Sequence, residues 1–266
     1  MSTKRTLQDE PAGAARFNVV SGKYDDIRPR YPAWMLNALA EHLDATGITD
    51  PLWLDVGAGT GIFARQLADI LPATTKIVGV EPSASMREQA TARSLDYAIT
   101  YVDGTAECLP EADASTAIVS AATAAHWFDR SAFYAEARRI LMPTGRLAIV
   151  EYVRDIAESP PARDLQAYLR REGDGDGYDR PDYEAEFTDY PGLCLLDVRK
   201  ELEVLPLTRE AYVKLAFSSS HVAACVARLG EEQVHADLLA LADSHTGPDG
   251  IIPYGYRMQM FVAGRA

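Results

Sequence analysis

Cysteine is scarce in this chain. Cys108, Cys194 and Cys225 are the only three in 266 residues, and they lie far apart. An odd, scattered set excludes a disulfide framework, and no Cys-x-x-Cys pair is present to bind zinc, so no metal is expected. Long apolar runs are missing too, which argues against a membrane span. The opening MSTKRTLQDEPAGAARFN has no apolar core and does not read as a secretory leader. Positive charge is in deficit: 26 Lys and Arg stand against 39 Asp and Glu, for a formal net charge of −13. A chain this acidic lacks the cationic excess that releases counterions from phosphates, so neither nucleic acid nor an anionic membrane is expected as a partner. The expectation is a cytoplasmic protein, monomer or homodimer, with residues 1–16 poorly ordered.

What is present is a 47% hydrophobic chain, enough for a sizeable core at this length. Through its first two thirds, short apolar runs alternate with helical periodicity. Leu36, Leu39 and Leu43 share one face of a helix that opens after Tyr31–Pro32 and ends by Gly47. Buried-strand runs fall at 52–56, 76–80, 99–102, 116–121 and 146–152. Helices are expected between them: one with Phe63, Leu67, Ile70 and Leu71 on one face, one over 83–93, and one over 133–141 closed by Pro143 and Gly145. Repeated alternation implies an α/β fold with a doubly wound, mostly parallel sheet and ligands at the carboxyl ends of its strands.

After Tyr152 the alternation stops. Residues 158–172 read as a helix. The polar stretch EGDGDGYDRPDYEAEF that follows has few core candidates. Asp174 and Asp176 evoke a calcium loop, but Asp179 and Ala185 stand where an EF-hand needs Gly and Glu, so the stretch reads as a lid or linker. A long edge strand is expected over 194–207, helices over 209–217 and 231–242, and a last strand over 257–264. The organisation is then a core over 17–155 with an N-terminal cap helix, cap or lid segments at 156–192 and 208–250, and closing strands at 193–207 and 251–266.

The strongest signal is a strand, then Asp55-Val56-Gly57-Ala58-Gly59-Thr60-Gly61, then a helix. Glycines let the backbone turn sharply and approach a ligand closely. A dinucleotide fingerprint would place its third glycine at position 62, which is Ile62. The acidic residue two places before the first glycine would repel a pyrophosphate but suits an ammonium group. Glu81 ends the second strand about 20 residues further on, where a carboxylate can take two vicinal ribose hydroxyls. Asp103-Gly104 ends the third strand, where an acid can accept from an exocyclic adenine amine; a plain Asp-Gly turn is the competing reading. Together these ask for a nucleoside with an amino-acid tail and no phosphates, the shape of S-adenosylmethionine (SAM).

LDVGAGTG, GVEPS, VDGTAECLP and HWFDRSAFYAEARRILMPTGRLAIVEY resemble the class I SAM-dependent methyltransferases. The likeness is closest to the small-molecule branch, with the ubiquinone-biosynthesis type and the trans-aconitate methyltransferase-like enzymes. YDDIRPRYP near the start, and SSSH and IPYGYRMQMFVAGR near the end, extend it over most of the chain. The resemblance implies a Rossmann-like sheet of seven strands with a helical cap over their carboxyl ends. It implies that Asp55, Gly57, Ala58, Gly59 and Gly61 hold the methionyl part, and that Glu81 binds the ribose. Pro82 and Met86 would pack near the adenine, with Asp103, Gly104 and Thr105 at its edge. Tyr24 and Arg28 would lie near the methionine end and cover the site. The family's fourth strand often ends in an acid; here it ends in Ser120-Ala121, and Ser120 is carried as a cofactor contact.

Methyl transfer requires alignment and exclusion of water more than acid–base chemistry. If the acceptor is a hydroxyl or ring N–H, a base is useful. His126 is the first candidate and His221 the second, since imidazole titrates near neutrality. A solvent-facing His126 and a structural His221 are the plain alternatives. Trp127, Tyr152, Tyr254 and Arg257 are candidate acceptor-binding residues; a core anchor for Trp127 and a strand-entry turn at Tyr254 are the simpler readings. Arg28 or Arg257 facing the acceptor would favour a carboxylate, which needs no base. The expected function is methylation of an oxygen or nitrogen of a small molecule, with S-adenosylhomocysteine (SAH) as by-product. An Ala-rich composition with Arg over Lys points to bacterial secondary metabolism. The alternatives are a carboxyl O-methyltransferase, an RNA or protein methyltransferase, and a non-catalytic SAM-binding protein.

Overall fold

The computed structural model describes residues 28–173, 180–219 and 221–266. The expectations for residues 1–16, for Tyr24 and for the Asp174–Asp176 loop fall outside them. Helix α1 (Ala33–Asp44) follows Pro32, which occupies the N-cap, and buries Leu36, Leu39 and Leu43 as the periodicity requires. Strand β1 (Leu52–Val56) leads to α2 (Ile62–Ala68), β2 (Lys76–Val80) to α3 (Ala84–Arg93), and β3 (Ile99–Val102) completes one half of the sheet. Strand β4 (Thr116–Ala122), α4 (Arg130–Ile140) and β5 (Leu141–Arg154) begin the other half. Then come α5 (Pro160–Glu172), α6 (Tyr183–Asp189) and β6 (Leu193–Leu207). Helices α7 (Arg209–Phe217), α8 (Val222–Leu229) and α9 (Glu231–His245) precede β7 (Ile252–Arg265).

The seven strands form one sheet in the order β3-β2-β1-β4-β5-β7-β6. Strands β1 to β5 are parallel, and β7 is inserted antiparallel between β5 and β6. The chain winds outward from β1 in one direction and resumes at β4 in the other. The crevice above β1 and β4 is therefore the switch point where such sheets take ligands. Apolar cores fill both faces. Trp53, Met35, Leu39 and Phe63 belong to one, with Leu165, Tyr212 and Leu238 of the later helices. Leu54, Val119, Phe133 and Tyr134 belong to the other. Helices α5, α7 and α9 tie together through buried or half-buried hydroxyls: Tyr212 donates to the Pro161 carbonyl at 3.0 Å and Tyr168 to Asp237 at 3.1 Å.

Three differences from the sequence reading have physical reasons. Strand β5 starts at Leu141 and runs through Pro143 and Gly145, which by local rules end a helix. The β4–β5 ladder pairs Thr116 with Leu141, then resumes at Ile118 with Arg146. The irregularity leaves the proline without a ladder partner to deprive of its N–H. A further helix, α8, stands where only two had been placed between β6 and β7. The third correction concerns the expected lid. Its described part holds α6, capped by Asp182. Tyr183 and Phe187, one turn apart, are fully buried, and their rings lie 5.5 Å from Phe261 and 5.4 Å from Tyr134. The polar residues around them hid two core anchors. Truncation of Phe187 to Ala is expected to cost about 3–5 kcal/mol in chemical denaturation; a cost near zero would return α6 to the role of a surface lid.

Candidate functional site

The bend after β1 is built by glycine. Gly57 has φ 71°, and a Cβ there would come within 2.7 Å of the Ala124 Cβ, so only glycine lets the bend pack against the loop after β4. The amides of Gly57 and Ala58 donate to the Val80 carbonyl at 2.8 and 3.1 Å, which locks the bend to the end of β2. Gly59, at φ 56°, has nothing within 4 Å of where its Cβ would stand. Its amide donates to Glu81 Oε2 at 2.9 Å. Gly61 is the N-cap of α2.

Two carboxylates flank this bend. Asp55, in β1, is buried; its Oδ1 accepts from Ser120 Oγ at 3.0 Å, and Ser120 Oγ in turn accepts from Trp53 Nε1 at 2.9 Å. Asp55 Oδ2 is buried without a hydrogen-bond partner. Burial pushes the Asp55 carboxyl up to about 7, the Glu81 charge adds to that, and the Ser120 hydrogen bond opposes it. Glu81 follows β2, and its other oxygen accepts from the Ser83 amide at 2.9 Å. Burial raises its pKa as well, against the pull of the Ser83 and Gly59 amides.

The bend and Glu81 form one wall of a cleft of about 1200 Å³, counting its open mouth. Pro82, Met86, Gly104 and Thr105 line it beyond the ends of β2 and β3. Trp127 and Tyr152 line the side above β4 and β5. Sequence reasoning missed several neighbours there: Tyr31, Phe63, Thr123 and Phe128. The Tyr31 ring meets Phe63 at 4.9 Å and Tyr152 at 5.8 Å, and its hydroxyl pairs with Thr123 Oγ1 at 2.9 Å. Thr123 itself sits at φ 52°, an unusual conformation for a non-glycine residue at the end of a strand. No local signal marks it; Tyr31 could have been read from its place just before the cap helix.

The other expected site residues stand off the described wall. Ser120 lies behind Asp55 and orients it. Asp103 is largely exposed and pairs with Arg87 at 2.9 Å, which also donates to the Glu81 carbonyl at 2.6 Å. Arg28 donates to the Tyr152 hydroxyl at 3.3 Å and to the Ser218 carbonyl at 2.8 Å. Tyr254 is fully buried between the Tyr212 and Tyr256 rings, at 5.8 and 5.1 Å, so it is a core residue and not an acceptor contact. Arg257 is drawn to the buried Asp155 at 3.3 Å, away from the cleft. His221 is the N-cap of α8, away from the described wall. His126 has its Nδ1 3.0 Å from Glu151 Oε1, with its ring 5.1 Å from that of Trp127.

Comparison with known proteins agrees with this geometry. The methyltransferase domain family matches residues 54–149. Residues 54–149 carry a methyltransferase domain. An uncharacterized methyltransferase of Mycobacterium tuberculosis is 33% identical over 162 residues, 59% of this chain and 60% of the relative. A malonyl-[acyl-carrier protein] O-methyltransferase of Hahella chejuensis is 36% identical over 95 residues, 35% of this chain and 34% of that one. The chain thus spans three fifths or less of these curated relatives. A candidate type II methyltransferase from Anaeromyxobacter dehalogenans shares the fold, with TM-score 0.64, 24% identity, and coverage of 90% of this chain and 97% of that one. Among the described residues, no helix is long and apolar enough to cross a membrane.

A carboxyl must be ionised to hold an ammonium group, so the expected role of Asp55 carries a pH dependence. Below about pH 7, SAH affinity measured by calorimetry is expected to rise by up to about tenfold per pH unit, and to level off above it. Asp55→Asn should bind more weakly with no such slope. An affinity left unchanged by Asp55→Asn at every pH would remove Asp55 from the site.

Proposed function

We propose that this protein is an enzyme that transfers a methyl group from SAM to an oxygen or nitrogen of a small-molecule acceptor. The observation that carries the reading is the partnerless buried Oδ2 of Asp55 in the cleft wall. An ammonium group is the natural complement of such an atom, because a buried carboxylate without a donor is costly. The donor set fits the cofactor throughout. Asp55 and the glycine bend suit its amino-acid tail, Glu81 its ribose hydroxyls, and Pro82, Met86, Gly104 and Thr105 its base. When bound, the cofactor supplies a methyl group on a sulfonium, released with the bonding pair left on sulfur.

This chain's own groups then have defined tasks. Tyr31, Tyr152, Phe128 and Trp127 exclude water and offer aromatic faces to a cationic centre, an effect of about 1–2 kcal/mol. Holding donor and acceptor in line supplies about 7–11 kcal/mol of barrier lowering. His126 is the residue we assign to take the proton of a hydroxyl or N–H acceptor. Its proximity to Trp127, on the wall, supports that role.

Carboxyl methylation is the second reading. Arg28, bonded to the Tyr152 hydroxyl, is the cation that favours it, and the Hahella relative's name supports it. In that case His126 is dispensable, since a carboxylate is already ionised. The net charge of −13 argues against RNA as substrate. The placement in bacterial secondary metabolism rests on composition alone.

SAH release from SAM, followed across a panel of phenols, amines and organic acids, tests the proposal. Turnover is expected with at least one neutral or carboxylate acceptor, and SAM consumption at background with all of them contradicts an enzymatic role. Glu81→Gln is expected to weaken SAH binding by about 10- to 100-fold, the worth of hydrogen bonds to a charged group. Unchanged affinity would take the ribose away from Glu81.

A further inference from the structure

Glu151 lies near the carboxyl end of β5, next to Tyr152 and on the opposite face. Its side chain is 1% exposed. Oε1 accepts from His126 Nδ1 at 3.0 Å and from the Tyr183 hydroxyl at 2.9 Å, and Oε2 accepts from Arg180 Nη1 at 2.6 Å. The three donors come from three places: the turn after β4, the segment ahead of α6, and α6 itself. Removing a carboxylate from water is expensive, and apolar side chains of the same volume usually stabilise a fold as well or better. This carboxylate is nevertheless kept, fully hydrogen-bonded, at the edge of the sheet where the cleft lies.

Its effect on His126 follows from elementary chemistry. An ionised carboxylate has no proton to donate, so the ring nitrogen facing it carries the hydrogen. Burial pushes Glu151 up, but the His126 hydrogen bond and the charge of Arg180 outweigh it and keep the group ionised. Burial pulls His126 below the usual imidazole range, and the charges of Arg180 and Arg28 do the same. The Glu151 hydrogen bond and charge act in the opposite direction. Among the described residues, the charged groups acting on the ring include Glu151 of β5, Arg180 ahead of α6, and Arg28 of the N-terminal segment, with the Tyr183 hydroxyl sharing Oε1. Thr123, Ala124, Trp127 and Phe128 line the cleft, and His126 stands just behind them, its side chain 6% exposed.

We propose that Glu151, braced by Arg180 and Tyr183, is a positioning residue that fixes His126 as the Nδ1–H tautomer, so that Nε2 is the nitrogen that takes the acceptor's proton. This rests on the methyltransferase reading above. In the step it serves, the methyl–sulfur bond breaks with its electrons on sulfur and a bond forms from the acceptor oxygen or nitrogen to the methyl carbon. The acceptor's proton moves to Nε2, and the imidazolium so formed is stabilised by Glu151. Glu151, Arg180 and Tyr183 all lie outside residues 54–149, the range matched by the methyltransferase domain family.

The tautomer can be read with no acceptor at all. In the SAH-bound wild-type protein labelled with ¹⁵N-histidine, nuclear magnetic resonance is expected to show His126 neutral at pH 7 with its proton on Nδ1. A proton on Nε2 overturns the proposal, whatever the variants do. Glu151→Gln presents an amide that can donate, so the proton should move to Nε2 while SAH affinity stays within about twofold. With an acceptor found in the panel, kcat should fall at least about tenfold. The acid limb of its pH profile should shift to lower pH, because the charge that raises the His126 pKa is gone. Glu151→Asp should recover part of the rate. Tyr183→Phe, which keeps the Glu151–His126 pair, should leave the tautomer and the acid limb in place. If Glu151→Gln and Tyr183→Phe lose rate and stability in parallel with no change of pH profile, Glu151 is only a strut between α6 and the sheet. Failure of SAH to bind the wild-type protein would instead remove the methyltransferase reading itself.

Discussion

Two carboxylates withdrawn from water at the ends of neighbouring parallel strands govern this molecule. Each costs several kcal/mol to bury, and the fold offsets that cost unequally. Glu81 receives two backbone amides, from Gly59 and Ser83. Asp55 receives one hydroxyl and keeps an oxygen unanswered. A phosphate-binding bend of the same shape would turn its amides to an anion; here one of those amides is already committed to Glu81, and the wall is acidic. The arrangement therefore selects a ligand with hydroxyls and a positive charge. The rest of the architecture serves it: the sheet order puts β1 at the switch point, and the glycine at 57 lets the bend reach the loop after β4.

The central half of this design was legible in the residues. Leu52–Val56, Lys76–Val80 and Ile99–Val102 are short apolar runs bounded by turn residues, and each is a strand as its period demands. The glycine bend and Glu81 were legible because they lie at the ends of neighbouring strands, where spacing follows local strand–turn–helix geometry and not distant packing. What stayed hidden depends on tertiary partners. Tyr183 and Phe187 are only one turn of helix inside a run of Asp, Gly and Glu, and what makes them core is the Tyr134 and Phe261 rings far away in sequence. Pro143 and Gly145 are helix stops by local rules, yet an irregular ladder absorbs them into β5. Helix α8 did carry a signal, an Ala-rich octet followed by Gly230, that was passed over. Ser120 and Tyr254 were placed on the cleft because strand ends point there; their side chains face the interior instead.

The cleft draws on residues both inside and outside the matched domain. Asp55, Glu81 and the residues around the adenine side of the cleft lie within 54–149. Arg28, Tyr31, Tyr152, Glu151, Arg180 and Tyr183 lie outside it. They sit on the N-terminal segment, the end of β5 and the approach to α6, joined by hydrogen bonds from Arg28 to Tyr152 and from Arg180 to Glu151.

The account stands or falls on which nucleoside the acidic crevice admits. Parallel calorimetric titrations with SAH and with NAD compare a ligand carrying an ammonium and no phosphate with one carrying a pyrophosphate. Saturable binding of SAH, and none of NAD at the same concentrations, is expected. Binding of NAD, or no heat with SAH near neutral pH, would contradict it.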